Sequence, residues 1–272
     1  MVPQKLKDFF LSQLEIWELA RNNFQNLEKI EKKPMQAGEL KGYIQFNPAR
    51  AVSTLAKVDD STISRRKCFL CSHHRPDEQK SMEILPGWEL LVNPYPILPY
   101  HFTISSKAHT AQRLNIITGK RLAELLDGMV VFYNADGAGA SAPDHAHFQA
   151  VPIEELPLIN LLDRDNIDIR NVEMPFKIII DPDESENIKE PVNAYFWMDK
   201  EKKVHLIAIP RSQHRPGCYY KEPPERRAVS PGAIDMAGVI VTPIKEDFDR
   251  LNNDDIEKIY KEVSFCQDEI TI

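Results

Sequence analysis

The residues of this chain whose types and spacing could do chemistry gather in Tyr133–Pro152, YNADGAGASAPDHAHFQAVP. An apolar run (Met129, Val130, Val131, Phe132) leads into small residues, which end in His145-Ala-His147-Phe-Gln149. Side chains alternate between faces along a strand, so a strand over His145–Val151 predicts His145, His147 and Gln149 on one face. Imidazoles can attack phosphorus or bind metal, and an amide can donate to oxygen. Two imidazoles and an amide beside a glycine-rich turn point to the handling of phosphate.

A second chemical cluster lies upstream, in Arg65-Arg66-Lys67-Cys68-Phe69-Leu70-Cys71-Ser72-His73-His74. The CxxC spacing lets two thiolates reach one metal, and tetrahedral zinc needs two further ligands. A redox dithiol has the same spacing, but it opens a helix after a strand. Here a charged segment precedes the motif and His-His-Arg-Pro follows it, which favours zinc.

These groups sit in a chain of 272 residues with 42% hydrophobic and 28% charged residues, long enough for one large domain or two smaller ones. A net charge of -7 argues against a general nucleic-acid coat, while a local cluster of His, Arg and backbone amides can still hold a small anion. No apolar run approaches the roughly 18 to 20 residues of a membrane span, and Met1–Leu11 has no apolar signal-peptide core. Four cysteines in a chain this long make no disulfide framework. The expectation is a cytoplasmic protein with reduced thiols, without nucleic-acid or membrane partners.

The elements that must position the chemistry follow from periodicity. Phe9, Leu11, Leu14, Ile16, Trp17, Ala20, Phe24 and Leu27 predict an amphipathic packing helix over Lys5–Ile30. A polar linker with Lys32, Lys33 and Pro34 precedes a strand at Gly42–Phe46, which runs into Asn47-Pro48-Ala49-Arg50. Arg50, just past a strand end, could reach a ligand phosphate with its planar fork or lie solvated on the surface. Strands are predicted at Trp88–Asn93 and His101–Ser105, joined by a turn-rich segment, then a helix through Leu114, Ile117, Leu122 and Leu125 towards Gly128, and a strand at Val130–Asn134. Beyond Pro152, strands are predicted at Lys177–Ile180, Ala194–Met198, Val204–Pro210 and Ala237–Pro243, with a final helix over Asp254–Phe265. His205–His214 faintly echoes His101–His109. Because turns join the strands as often as helices do, the pattern favours a mixed, largely antiparallel α+β fold over a doubly wound parallel sheet.

Several familiar motifs fail. Gly137-Ala-Gly139-Ala-Ser-Ala142 matches GxGxxA on paper, but that motif must open a helix, and Pro143 with a strand pattern follows. There is no GxxxxGK[ST] and no HExxH. Zinc deaminases place Glu two residues after a ligand His, with PCxxC downstream; here residue 147 is His and CxxC lies upstream.

Gly139-Ala-Ser-Ala-Pro-Asp-His145-Ala-His147-Phe-Gln149 resembles the HxHxQ signature of the histidine-triad superfamily. The similarity is to the branch of galactose-1-phosphate uridylyltransferase, the diadenosine tetraphosphate phosphorylases and the GDP-hexose phosphorylases, in which Gln replaces the last His of the triad. It is anchored over Cys68–Pro152 and extends more weakly to Phe46–Arg50 and to Ala237-Gly238. Ala146 departs from it, standing where the uridylyltransferases have Pro.

The resemblance implies an α+β, histidine-triad-like fold with a mainly antiparallel sheet, flanking helices and two related lobes. Residues 1–40 would pack as a helical segment, 41–155 would form the catalytic lobe with the zinc site, and 156–272 would complete the sheet and the substrate pocket. His147 takes the nucleophile position and Gln149 the place of a hydrogen-bond donor to a phosphate or leaving oxygen, as the catalytic pair. Gly137, Gly139 and Ser141 would approach phosphate oxygens, with Asn134 and Arg50 as further substrate contacts. Cys68, Cys71, His109 and His145 match the branch's structural zinc ligands, and such a Zn2+ has no open position for water. His73 and His74 lie too close after Cys71 for the usual finger spacing.

The implied reaction is nucleotidyl transfer. An NDP-sugar or dinucleoside polyphosphate would be cleaved at the α-phosphate through a covalent nucleotidyl-histidine, with phosphate or a sugar 1-phosphate as acceptor. A nucleotide hydrolase of the same superfamily and a zinc-stabilised nucleotide-binding module without turnover are the alternatives. The resemblance also raises the expectation of a homodimer, and His205, Arg211 and His214 receive no assigned role from it.

Overall fold

The structure, a computed structural model, describes residues 1–55, 60–163, 172–182 and 188–266. The chain begins with helices α1 (Gln4–Ile16) and α2 (Glu18–Leu27), followed by the hairpin β1 (Glu31–Ala37) and β2 (Leu40–Phe46). Two short helices, α3 (Ala51–Thr54) and α4 (Asp60–Arg65), lead to β3 (Ser81–Leu85), β4 (Trp88–Val92) and β5 (Phe102–Ser106). Next come α5 (Ile116–Leu125), β6 (Met129–Asn134), β7 (His147–Pro152) and α6 (Pro157–Leu162). The rest comprises β8 (Ile179–Ile180), β9 (Val192–Met198), β10 (Val204–Pro210), α7 (Ala233–Met236), β11 (Val239–Thr242), α8 (Lys245–Arg250) and α9 (Asn253–Val263).

Eight strands form one sheet in the order β3-β4-β5-β7-β6-β9-β10-β8, with every neighbouring pair antiparallel. This is the mixed α+β class, with a large antiparallel sheet. The sheet is buried on both faces, and strict alternation divides its side chains between two cores. Val130, Phe132, Val151, Tyr195 and Trp197 point into one core, built with the three-stranded sheet β1-β2-β11, α6, α7 and α9. Met129, Val131, Tyr133, Phe148, Ala150 and Phe196 point into the other, closed by α1, α2 and α5. His147 and Gln149 therefore share the face of Val151, under the small sheet.

Two sequence expectations change in the N-terminal region. The single helix over Lys5–Ile30 is broken at Trp17, which is buried and extended (φ -117°, ψ 96°). The break is stabilised by Arg21, whose Nη1 donates to the carbonyls of Leu14 and Glu15 at 3.0 Å each; these are end-of-helix acceptors with no intrahelical partner. The polar linker around Lys32–Pro34 is an edge strand paired to β2 along its whole length. Its charges and Pro34 suit an edge, where no further strand needs the N–H. β3, an edge strand of the large sheet, does alternate, with Ser81 and Glu83 exposed and Met82 and Ile84 against the core, but at five residues it is a short signal that the sequence expectations do not include.

Helix α5 is shorter than its hydrophobic pattern and begins at Ile116, capped by the Asn115 side chain accepting from Thr118 N at 2.9 Å. β2 and β11 run parallel, and their backbones close together at Gly42: an added Cβ would stand 1.9 Å from the Gly238 carbonyl oxygen. Backbone cannot yield as a flexible side chain can, so Gly42→Ala must shift the small sheet. The expected cost is roughly 3 kcal/mol, read as a fall in melting temperature of about 5–10 °C. An unchanged melting temperature would contradict this register.

Candidate active site

The loop between β6 and β7 carries His145 and delivers His147 as the first residue of β7. Gly139 adopts φ +96° and abuts Gly232, whose Cα would lie 2.6 Å from an added Cβ, so the loop is docked against the second half of the chain. The amides of Ala138 and Ala140 turn back to the Ala135 carbonyl. β7 begins at His147, and His145 sits in a bend before it, so the expected common face of His145, His147 and Gln149 holds only for the last two. Ala146 N bonds Thr110 O at 2.7 Å rather than a ladder partner, which rotates His145 away from the His147 face.

His147 is buried and its tautomer is set by geometry. Nδ1 lies 2.8 Å from the His145 carbonyl, and a carbonyl only accepts, so Nδ1 carries the hydrogen and Nε2 keeps a lone pair. Burial pushes the imidazole pKa down to about 4, against the upward pull of that carbonyl. The ring is neutral at pH 7. His147 and Gln149 both line a cavity of about 470 Å3.

Gln149 is oriented by a residue that sequence reasoning did not single out. His101 Nδ1 accepts from Ile97 N–H at 3.2 Å, so its hydrogen resides on Nε2, which donates to Gln149 Oε1 at 2.8 Å. The amide oxygen of Gln149 is thereby engaged and its two N–H donors remain for the cavity. Burial, assisted by the Arg50 guanidinium, lowers the His101 pKa to about 3.

A second cluster joins three segments. The ligand atoms of Cys68, Cys71, His109 and His145 all lie within 4.8 Å of one another and could hold a metal ion. Cys68 Sγ is 3.4 Å and Cys71 Sγ 3.6 Å from His145 Nδ1, and His109 Nδ1 is 3.2 Å from both Cys71 Sγ and His145 Nδ1. Bonds of about 2.0–2.3 Å in a tetrahedron imply ligand separations of about 3.3–3.8 Å; the two cysteine–His145 separations fall in that range and the two made by His109 lie just below it. His145 Nε2 donates to the Ser106 carbonyl at 2.8 Å, which turns Nδ1 towards the cysteines. Burial opposes ionisation of Cys68, but hydrogen bonds from His145, Leu70 and Cys71 outweigh it and bring the thiol down to about 6. Cys71 with His73 and His74 makes a second, more exposed grouping.

The cavity is also lined by Arg50, Asn134, Gly139 and Ser141. Gly137 lies outside this lining, beside Pro191. Arg50 is half-buried rather than fully solvated: Nη1 donates to Tyr95 O at 2.7 Å, and desolvation lowers its pKa to about 10 while Asp235 draws it upward. It is cationic at pH 7. The Asn134 side-chain oxygen Oδ1 accepts from Asn193 Nδ2 and Ala233 N, so it ties the cavity wall together.

Further lining groups are Arg66, His214 and Arg215. Arg66 pairs with Asp144 at 2.7 Å, and Arg215 donates to Ser230 Oγ at 2.9 Å. Arg211 is buried behind the wall, with its donors directed at Val263, Asn193, Pro231, Gln213 and His214. His205 lies elsewhere, between Asp181 and Asp199. Among the described residues no helix is long and apolar enough to cross a membrane.

The family described as a domain of unknown function (DUF4922) matches residues 9–152, just over half of the chain. The chain belongs to that family. Comparison with curated proteins finds no match. Among solved structures, this DUF4922 protein is similar to yeast Ap4A phosphorylase Apa2 in complex with AMP, with a TM-score of 0.62 and 18% identity over 98% of each chain. The same yeast enzyme in complex with Ap4A gives a TM-score of 0.58 at 16% identity, covering 98% of this chain and 99% of that one. The likeness shows that this chain shares the fold of that yeast enzyme, as the HxHxQ segment leads one to expect.

The neutral, buried His101 has a consequence for stability. Its pKa is about 3 in the folded chain against 6.5 for a free imidazole, so between those values the unfolded chain binds the extra proton. Stability is therefore lost as pH falls from about 6.5, by about 1.4 kcal/mol per pH unit from this group. His101→Gln is expected to lose about 2 kcal/mol less between pH 7 and pH 5 than the wild type in denaturant titrations. Parallel curves for the two proteins would show that His101 is not held neutral.

Proposed function

We propose that this DUF4922 protein is a nucleotidyl-transferring phosphorylase acting on a dinucleoside polyphosphate or an NDP-sugar. One observation carries the reading: His147 presents an unprotonated Nε2 to a large cavity while its Nδ1–H is tied to the His145 carbonyl. The Nε2 lone pair attacks the α-phosphorus, a P–N bond forms, and the P–O bond to the leaving nucleotide polyphosphate or sugar phosphate breaks. Inorganic phosphate then attacks the same phosphorus and the P–N bond breaks, releasing a nucleoside diphosphate. No proton has to leave His147 before attack, because the nucleophilic nitrogen is already bare.

The other residues serve charge and orientation. Gln149 donates its amide N–H groups to a non-bridging oxygen, where negative charge is held through the transition state. Arg50, Arg66 and Arg215 give the cavity a cationic wall in a chain of net charge -7, which draws a polyphosphate in. Apolar lining from Phe69, Leu91, Ile97 and Ile234 suits a base or sugar. The yeast structures of like fold hold AMP and Ap4A, which supports a nucleotide in this cavity.

Incubation with α-labelled Ap4A and a panel of α-labelled NDP-hexoses is expected to give an acid-labile protein adduct, and phosphate is expected to convert it to labelled nucleoside diphosphate. His147→Ala should label at least about 1000-fold less, while His205→Ala, remote from the cavity, should label normally. Labelling that survives His147→Ala would sink the assignment.

The Cys68, Cys71, His109 and His145 cluster fits zinc by its donor set, two thiols and two imidazoles with all four ligand atoms within 4.8 Å of one another. The ion would be structural: all four positions are protein side chains, and its work is to tie the CxxC segment to the chain entering β7. One zinc per chain is expected by elemental analysis, with a melting temperature lowered by chelators. A zinc-free preparation whose stability ignores chelation would contradict this.

A further inference from the structure

Where β6 and β7 leave their ladder, a side chain takes the place of a backbone. The two strands pair from Met129↔Pro152 to Phe132↔Gln149, and that register continued by two residues sets Asn134 opposite His147. The side-chain amide of Gln112 lies between them. Its Oε1 accepts the His147 N–H at 2.7 Å, and its Nε2 donates to the His147 carbonyl and to the Asn134 carbonyl, each at 2.9 Å. Oε1 can only accept and Nε2 can only donate, so the three partners leave the amide one orientation.

Gln112 is itself held. It is buried, its N–H donates to the Pro143 carbonyl at 2.9 Å, and the neighbouring Thr110 carbonyl accepts from Ala146 at 2.7 Å. Residues 110–112 thus run beside 143–147 as an irregular partner strand. On its other side the His147 backbone is paired to Ser105 of β5. Gln112 is not among the residues lining the cavity.

We infer that Gln112 is a positioning residue for His147: it clamps both the backbone N–H and the carbonyl of His147, so that Nδ1 meets the His145 carbonyl and Nε2 faces the cavity. This rests on the nucleotidyl-transfer reading of His147. The bond from Nδ1 spans only two residues, to His145, so it forms only while the backbone between 145 and 147 keeps one conformation. β5 fixes that backbone from one side. On the β6 side, where the ladder has ended, the Gln112 amide is what fixes it. Loss of the clamp would slow attack without changing the surfaces that hold the nucleotide.

Gln112→Met keeps the volume and removes all three hydrogen bonds. Gln112→Glu keeps an acceptor for the His147 N–H and loses the donors. With the donor that labels the wild type, single-turnover adduct formation is expected to fall about 100-fold in Gln112→Met and about 10-fold in Gln112→Glu. Binding of AMP by calorimetry is expected to stay within about 3-fold of wild type, as for a change confined to the reacting geometry. Should the Met variant fail to fold, the Glu variant carries the test. Wild-type labelling rates in a folded variant would overturn the inference, and so would a loss of AMP binding that matches the loss of labelling. If the wild type itself forms no adduct, the nucleotidyl-transfer reading falls, and this inference with it.

Discussion

The site depends on one hydrogen bond, from the Nδ1–H of His147 to the carbonyl of His145, 2.8 Å away. It decides which ring nitrogen keeps its lone pair, and burial then keeps the ring neutral at physiological pH. Neither effect suffices alone. A buried imidazole with the other tautomer would present a hydrogen to the cavity, and an exposed one would be free to turn and would protonate in mildly acidic water. The surrounding architecture can be understood as the means of holding this short link. The His145 ring is engaged by the Cys68, Cys71 and His109 cluster and by Ser106, while the His147 backbone lies between β5 and the Gln112 amide.

The same logic orders Gln149. Its oxygen is engaged by His101, whose tautomer is in turn set by the Ile97 N–H. Two imidazoles, each locked by a backbone group, thus give the cavity one bare nitrogen and one pair of amide donors from adjacent positions on a single face of β7. An antiparallel sheet suits this arrangement. Threading β7 between β5 and β6 surrounds the site with main-chain groups on both sides, and the second half of the chain closes over it through Gly232 and Asp235.

Much of this could be read from residues alone, because the chemistry is local there. His147 and Gln149 stand two apart on a strand, and CxxC announces thiolate ligands by its spacing. The central strands declared themselves by continuous apolar runs, since both faces of the large sheet are covered. What escaped reading was set by distance or by the weakness of edge patterns. β1 is a polar edge strand that resembles a linker, and β3 is an edge strand of only five residues. Trp17 breaks a helix whose apolar spacing runs through it, and the reason lies in Arg21 reaching back to two carbonyls. His101 reads as the start of a strand and Gln112 belongs to no motif, because their roles appear only when residues 48 and 35 positions onward are placed beside them. The His145 bend was hidden too, since period-two spacing cannot show where a strand begins.

The most direct test of the central claim is the site of the phosphorus–nitrogen bond in the trapped adduct. With ring-15N histidine incorporated, the phosphorus resonance of the intermediate should show one-bond coupling to Nε2 of a single histidine, His147. Coupling to Nδ1 of His147, or to any other histidine, would contradict the account, because the His145 carbonyl would then not be directing the attack.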